Sequence, residues 1–129
     1  MNASGVIGLG MDLVECQRIR ESVAKFGDRF MQRIFTQGEI RYAESQRDAI
    51  PSLAARFAAK EAVSKAFGTG IGEQLNLTDI EVCRHERGEP FIKLHGKGKQ
   101  LLKERGGTKV LITLTHTKEY AAATALIVL

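Results

Sequence analysis

Apolar and polar positions alternate with two different periods along the chain, and the change of period divides it. The opening "SGVIGLGMDLVE" is dense in Val, Ile and Leu and reads as a β-strand ending near Asp12. Gly5, Gly8 and Gly10 interrupt it, as glycines do where another backbone or a ligand comes close. Val14, Ile19, Val23 and Phe26 then recur at helical spacing and predict a helix over 15–26, stopped by Gly27. A second short helix is expected over 28–34. Thr36 followed by Glu39 is a capping-box pair, in which hydroxyl and carboxylate each satisfy the other residue's amide, and it opens a helix to about residue 47. Pro51 sits near the start of the next helix, where a missing N–H costs nothing, and a long helix over 52–67 follows.

From residue 75 the apolar positions turn to the period of a strand. Ile80 and Val82, then Phe91, Ile92 and Leu94, flank a turn near Glu86–Pro90 and predict a hairpin with Gly88 in its turn. "GKGKQLLKERGG" reads as a short amphipathic helix. The finish, "KVLITLTHTKEYAAATALIVL", reads as two strands, or one interrupted at "HTKEY". The order is strand, helices, then mostly strands, which is an α+β arrangement without a βαβ unit. At 129 residues and 43% apolar content, a single domain over 1–129 is expected, small enough that an oligomer sharing core or site residues is plausible.

Charge adds an expectation about partners. The chain carries 19 Lys and Arg against 15 Asp and Glu, a net +4. Arg18, Arg20, Lys25, Arg29, Arg33, Arg41 and Arg47 crowd one largely helical stretch, which suits an acidic partner, an anionic cofactor or a plain solvated face. No nucleic-acid motif accompanies them, and the only tyrosines are Tyr42 and Tyr120, so nucleic acid is not the expected partner. Cys16 and Cys83 lack neighbouring ligands for zinc and read as thiols in a reducing compartment. "MNASGVIGLG" lacks a basic n-region and a long apolar run, so no secretory signal is expected. "AAATALIVL" is too short to span a bilayer. A cytoplasmic protein without a membrane partner follows as the expectation.

Chemistry concentrates in residues 54–72, "AARFAAKEAVSKAFGTGIG". On a helix Lys65 lies about 40° from Glu61, among Ala54, Phe57 and Ala58, with Ser64, Lys60 and Arg56 along one shoulder. The alanines keep the helix thin, so a neighbour can approach and enclose the charges. An enclosed carboxylate needs a partner. A Glu61–Lys65 pair at i,i+4 is one solution; a divalent cation held with a second carboxylate is another, and Asp12 is the acid best placed to join it. Asp28, Asp48 and Asp79 read as cap or turn acids. Gly68 reads as a helix C-cap, and "GTGIG" matches neither the dinucleotide nor the Walker pattern. His116, flanked by Thr115 and Thr117 in "LTHTKEY", has the chemistry to orient a phosphate or move a proton. A magnesium-dependent pyrophosphate hydrolase and a basic nucleic-acid-binding domain are the competing classes.

Four separated motifs, "GLGMDLVE" with Arg18 behind it, "FMQRIFTQGE", "RFAAKEAVSKAFGTGIG" and "LTHTKEYAAA", resemble the holo-[acyl-carrier-protein] synthase family, the bacterial 4'-phosphopantetheinyl transferases of fatty acid synthesis. The resemblance is colinear from about residue 5 to the C-terminus, and is thinnest over 84–109. It implies the transferase fold, a small antiparallel sheet packed with a long helix and several short ones. It implies transfer of the 4'-phosphopantetheine arm of coenzyme A to a serine of apo-acyl carrier protein, leaving adenosine 3',5'-bisphosphate. Asp12 and Glu61 would hold Mg²⁺ against the pyrophosphate, Lys65 would contact the phosphate and His116 would lie beside it. Arg56, Lys60, Ser64 and Thr117 match the nucleotide side. Arg18, with Arg20 or Lys25, would dock the acidic carrier protein. A homotrimer with sites at subunit contacts is implied as well.

Overall fold

The computed structural model describes residues 5–129; Ser4, where the first strand was expected to begin, and the first residues of "MNASGVIGLG" lie outside them. Strand β1 (Val6–Glu15) leads into helices α1 (Cys16–Phe26), α2 (Asp28–Ile34), α3 (Gln37–Glu44) and the long α4 (Ala49–Phe67). A 3₁₀ turn (Leu77–Asp79) precedes the hairpin of β2 (Ile80–Arg84) and β3 (Pro90–Leu94), then come α5 (Gly96–Glu104), β4 (Lys109–His116) and β5 (Tyr120–Val128). The first strand and the last two form one antiparallel sheet in the order β1-β5-β4, and the hairpin stands as a separate two-stranded ladder. The fold is α+β, as the periods imply.

Local chemistry sets most boundaries. The Thr36 hydroxyl accepts from the Glu39 amide while the Glu39 carboxylate accepts from the Thr36 amide, so α3 starts with the full capping box. Helix α4 begins three residues earlier than its period suggests, because the Asp48 carboxylate accepts from the Ile50 amide at 3.0 Å and caps the first turn. Its other end closes on Gly68 in the left-handed conformation, φ 81°. "HTKEY" separates two strands: the Thr117 hydroxyl accepts from the amides of Glu119 and Tyr120 and ties the turn. Strand β1 does not end at Asp12 but pairs with β5 as far as Glu15, opposite Tyr120.

The core forms where α4 crosses the three-stranded sheet. Ala54, Ala55, Ala58, Ala59, Ala62 and Ala66 are buried, as are Ala121, Ala123 and Ala125 of β5. The close approach is made possible on the strand side: a Cβ at Gly10 would lie 2.0 Å from the Ala62 carbonyl oxygen, and one at Gly8 would lie 2.2 Å from that of Ala66. The opposite side of the sheet is bare. Leu9, Met11 and Leu13 on β1 are 62–65% exposed, and register places Leu9 beside Leu126 of β5, itself beside Leu111 of β4. A contiguous exposed apolar sheet face of this kind marks an interaction surface. No helix among the described residues is long and apolar enough to cross a membrane.

Candidate active site

Strand parity directs Asp12 toward α4. Gly8, Gly10, Asp12 and Val14 alternate with exposed Leu9, Met11 and Leu13, so Asp12 shares the side on which α4 rests. From the helix, Lys65 reaches down to it: Nζ lies 2.9 Å from Asp12 Oδ1 and donates to the Met11 carbonyl at 3.0 Å. The local Glu61–Lys65 ion pair expected from the i,i+4 spacing is therefore replaced by a long-range one. A strand acid at the right depth offers Lys65 a closer, partly desolvated partner than a neighbour on its own helix.

Glu61 is left without an ion-pair partner of its own among the described residues. Burial pushes its carboxyl above the usual range, the nearby Asp12 charge pushes it further, and Lys65 opposes both. Two carboxylates thus share one cation. That donor set fits a hard divalent ion, which takes few protein carboxylates and completes its shell with water and phosphate. Among the described residues no group of three or more His, Cys, Asp or Glu gathers into a denser metal cluster.

Asp12 and Glu61 form the acidic end of a cleft of about 570 Å³. Arg18 of α1 lines it, and Ile19, Phe30 and Phe57 supply apolar walls. His116 is elsewhere. It lines a second cleft of about 230 Å³, with Arg47, Arg56, Arg84, Tyr42 and Ser52, which shares no wall residue with the first. There Arg56 is buried, stacks over the Tyr42 ring at 4.3 Å and donates from Nη1 to the Ser52 hydroxyl at 2.8 Å. Its Nε–H has no acceptor. Burial pushes this guanidinium down from its ordinary value, with Tyr42 and Glu39 opposing. Three arginines, Arg47, Arg56 and Arg84, line this cleft with His116, and such a cationic lining suits an anion.

Other expected positions are placed differently. Lys60 and Ser64, expected on the nucleotide side, are fully buried. The Lys60 ammonium is bound by Glu39 at 2.7 Å and by main-chain carbonyls, and the Ser64 hydroxyl donates to the Glu61 carbonyl of its own helix. An alanine-rich helix buried on nearly all sides has no solvated shoulder, so a helical wheel could not separate these residues from Glu61. Arg20 is held by Asp48 at 2.9 Å, leaving Arg18 as the basic residue in the larger cleft. Sequence reasoning also missed Tyr42 and Arg84. Arg84 comes from the hairpin, where the motifs are thinnest; an isolated arginine at a strand end carries no signal of its own.

Comparison with known proteins shows the family and the fold. The family model described as the 4'-phosphopantetheinyl transferase superfamily matches residues 8–125. The chain is similar to the protein named holo-[acyl-carrier-protein] synthase of Koribacter versatilis, 43% identical over 122 residues and covering 95% of this chain and 98% of the relative. Its fold is similar to the crystal structure of holo-[acyl-carrier-protein] synthase from Neisseria meningitidis, with a TM-score of 0.87 and 30% identity, covering 95% and 98% of the two chains. It is also similar to the Helicobacter pylori holo-[acyl-carrier-protein] synthase solved in complex with coenzyme A, with a TM-score of 0.82 and 28% identity, covering 92% and 98%.

Proposed function

We propose that this chain, which belongs to the 4'-phosphopantetheinyl transferase superfamily, moves the 4'-phosphopantetheine arm of coenzyme A to a serine of apo-acyl carrier protein. The products are holo-carrier protein and adenosine 3',5'-bisphosphate. The observation that carries this reading is the convergence of Asp12, Glu61 and Lys65 at one end of a cleft that Arg18 also lines. The 129 residues act as a single transferase domain.

Asp12 and Glu61 are the residues to hold Mg²⁺. When bound, such an ion supplies Lewis-acid polarisation of the pyrophosphate oxygens. Lys65, half-exposed and within reach of the same edge, stabilises the charge that develops as the bridging bond breaks. The serine oxygen forms the new bond to the β-phosphorus, the bond to the bridging oxygen breaks, and adenosine bisphosphate departs with the electron pair. The serine proton passes to Asp12 through water or to Glu61. Positioning and charge supply most of the rate in phosphoryl transfer, so a strong base is not required.

Arg56 and His116, with Thr117 beside it, take the nucleotide phosphates in the second cleft, whose arginine lining supports an anion. Because the two clefts share no wall within one chain, a site that uses both is completed by a neighbouring copy. The bare apolar face of the sheet supports such an assembly, a homotrimer with sites at its contacts. The free thiols of Cys16 and Cys83 support a reducing, cytoplasmic setting.

Intact-mass measurement tests the reaction. Apo-carrier protein incubated with the chain, coenzyme A and Mg²⁺ should gain one phosphopantetheine and fail to do so with EDTA. Hydrolysis of coenzyme A with no mass gain on any carrier protein would replace transfer by attack of water. Arg18→Glu should raise the KM for carrier protein roughly tenfold, by reversing a charge meant for an acidic partner, and leave coenzyme A affinity near wild type. An equal loss of coenzyme A affinity, read by calorimetry, would remove Arg18 from the docking surface.

A further inference from the structure

One buried ion pair lies outside the chemistry just described and next to it in sequence. Lys60 precedes Glu61 on α4, so their side chains leave the helix about 100° apart. Lys60 spends its ammonium on three acceptors: Glu39 Oε1 at 2.7 Å, the Leu77 carbonyl at 3.0 Å and the Ile80 carbonyl. Glu39 is equally committed. Its Oε1 also accepts from the Thr36 amide at 2.8 Å, and its Oε2 accepts from the Val82 amide at 2.7 Å. The Thr36 hydroxyl, which accepts from the Glu39 amide, donates to Glu81 at 2.8 Å, and Glu81 is bound to His95 Nε2 at 2.9 Å. The network therefore anchors α4 to α3, to the 3₁₀ turn and to the hairpin, none of which belongs to the sheet that carries Asp12.

Stability alone is a poor reason for this pair. Taking both charges out of water costs about as much as their attraction returns, and well-packed apolar replacements are often neutral or better. What a directional pair supplies is a defined setting. The surface on which α4 rests needs one along β1: there Ala62 and Ala66 of the helix meet Gly8 and Gly10, so that part of the contact offers low ridges and shallow grooves. Packing of that kind holds the helix close but resists rotation about its axis weakly.

We infer that the Lys60–Glu39 pair is a positioning device that fixes the rotation of α4 on the sheet and thereby aims Glu61 at the cation shared with Asp12. Lys60 and Glu39 touch no substrate; they act through the helix. The inference rests on the proposed Asp12–Glu61 metal site.

The test is Mn²⁺ binding to the full chain, followed by electron paramagnetic resonance with coenzyme A present, in wild type, Glu61→Gln and the double variant Glu39→Gln/Lys60→Met. The double variant removes both charges and keeps an acceptor oxygen for one of the two amides, those of Thr36 and Val82, that Glu39 holds. It should stay folded by circular dichroism yet bind Mn²⁺ about tenfold more weakly, the size of effect expected when an outer support of a metal ligand is lost. Glu39→Gln alone, which leaves Lys60 its two main-chain acceptors, should weaken binding in the same direction by about threefold, and it decides the matter if the double variant does not fold. Wild-type Mn²⁺ affinity in whichever of these variants is folded overturns the positioning role and leaves the metal site standing. Absence of any Glu61-dependent Mn²⁺ binding in wild type overturns the metal site and the positioning role together.

Discussion

Gly10→Ala should cost roughly 3 kcal/mol or more of stability, at the upper end of what overpacking a filled core does. The added methyl would sit 2.0 Å from the Ala62 carbonyl oxygen and 2.6 Å from the Ala66 amide nitrogen, both main-chain atoms of α4 that no rotamer change can move. The helix cannot retreat without giving up its other face, where Lys60 is bound to the hairpin side. Urea titration followed by circular dichroism measures the loss. Gly72→Ala is the internal control: its Cβ would meet nothing within 4 Å and its φ is not positive, so the change should stay within about 0.5 kcal/mol. Equal effects at the two positions would mean that the helix–strand contact does not require glycine at Gly10. Any Gly10→Ala protein that folds should also transfer poorly, because Lys65 and Glu61 ride on the displaced helix while Asp12 stays on the strand.

Glu61→Gln should lower kcat about 10³-fold, since losing a cation's stabilisation of developing phosphate charge forfeits about 4 kcal/mol. The same substitution should leave the metal-free protein at least as stable as wild type at neutral pH. The sign follows from linkage. Burial and Asp12 raise the Glu61 pKa above its ordinary 4.5, so the folded protein binds this proton more tightly than the unfolded chain does. Its contribution is favourable at low pH and is lost as pH rises through the raised folded value. A neutral glutamine escapes that penalty. Added Mg²⁺ should then raise the melting temperature of wild type and not of the variant, as binding to the folded state alone requires. Protons compete with the cation for the same carboxylate, so activity at subsaturating Mg²⁺ should fall with pH on the acid side. A Glu61→Gln protein that is destabilised at neutral pH and still responds to Mg²⁺ would make Glu61 a structural acid.

These two effects share a design. Glycines on β1 and alanines on α4 bring backbone close to backbone, and the site's charges stand at the edge of that contact. The sheet gains closeness but loses the interlocking that larger side chains provide. The buried Lys60–Glu39 pair restores direction from the other side of the helix.

What the chain shows residue by residue depends on the range of the interaction that decides it. The capping box at Thr36 and Glu39, the helix stop at Gly68 and the hairpin turn at Gly88 all involve groups a few residues apart, and all were legible. The close approach at Gly8 and Gly10 was legible as well, without the identity of what approaches. Asp12 and Glu61 were singled out as acids in unusual surroundings. Their motifs carried the family, which composition and spacing alone did not.

Tertiary structure decided the partners. The local order of charges predicts Glu61 with Lys65, yet Lys65 reaches across 53 positions to Asp12 and leaves Glu61 to be raised by burial. The wheel sets Lys60 and Ser64 on a shoulder beside Glu61, and the fold buries both, because a helix wrapped on nearly every side gives its angular positions no fixed meaning until its neighbours are known. Glu39 reads as a cap, and only the packing of α3 against α4 and β2 turns the same carboxylate into the seat of a buried ammonium. His116 and Asp12 lie on strands separated by β5, so one chain places them in different clefts. The sequence by itself determined the elements, their caps and the kinds of groups available for chemistry, through contacts between near neighbours. Which of those groups meet was decided by desolvation and packing across the fold, forces that act between residues far apart in the chain and leave no period to read.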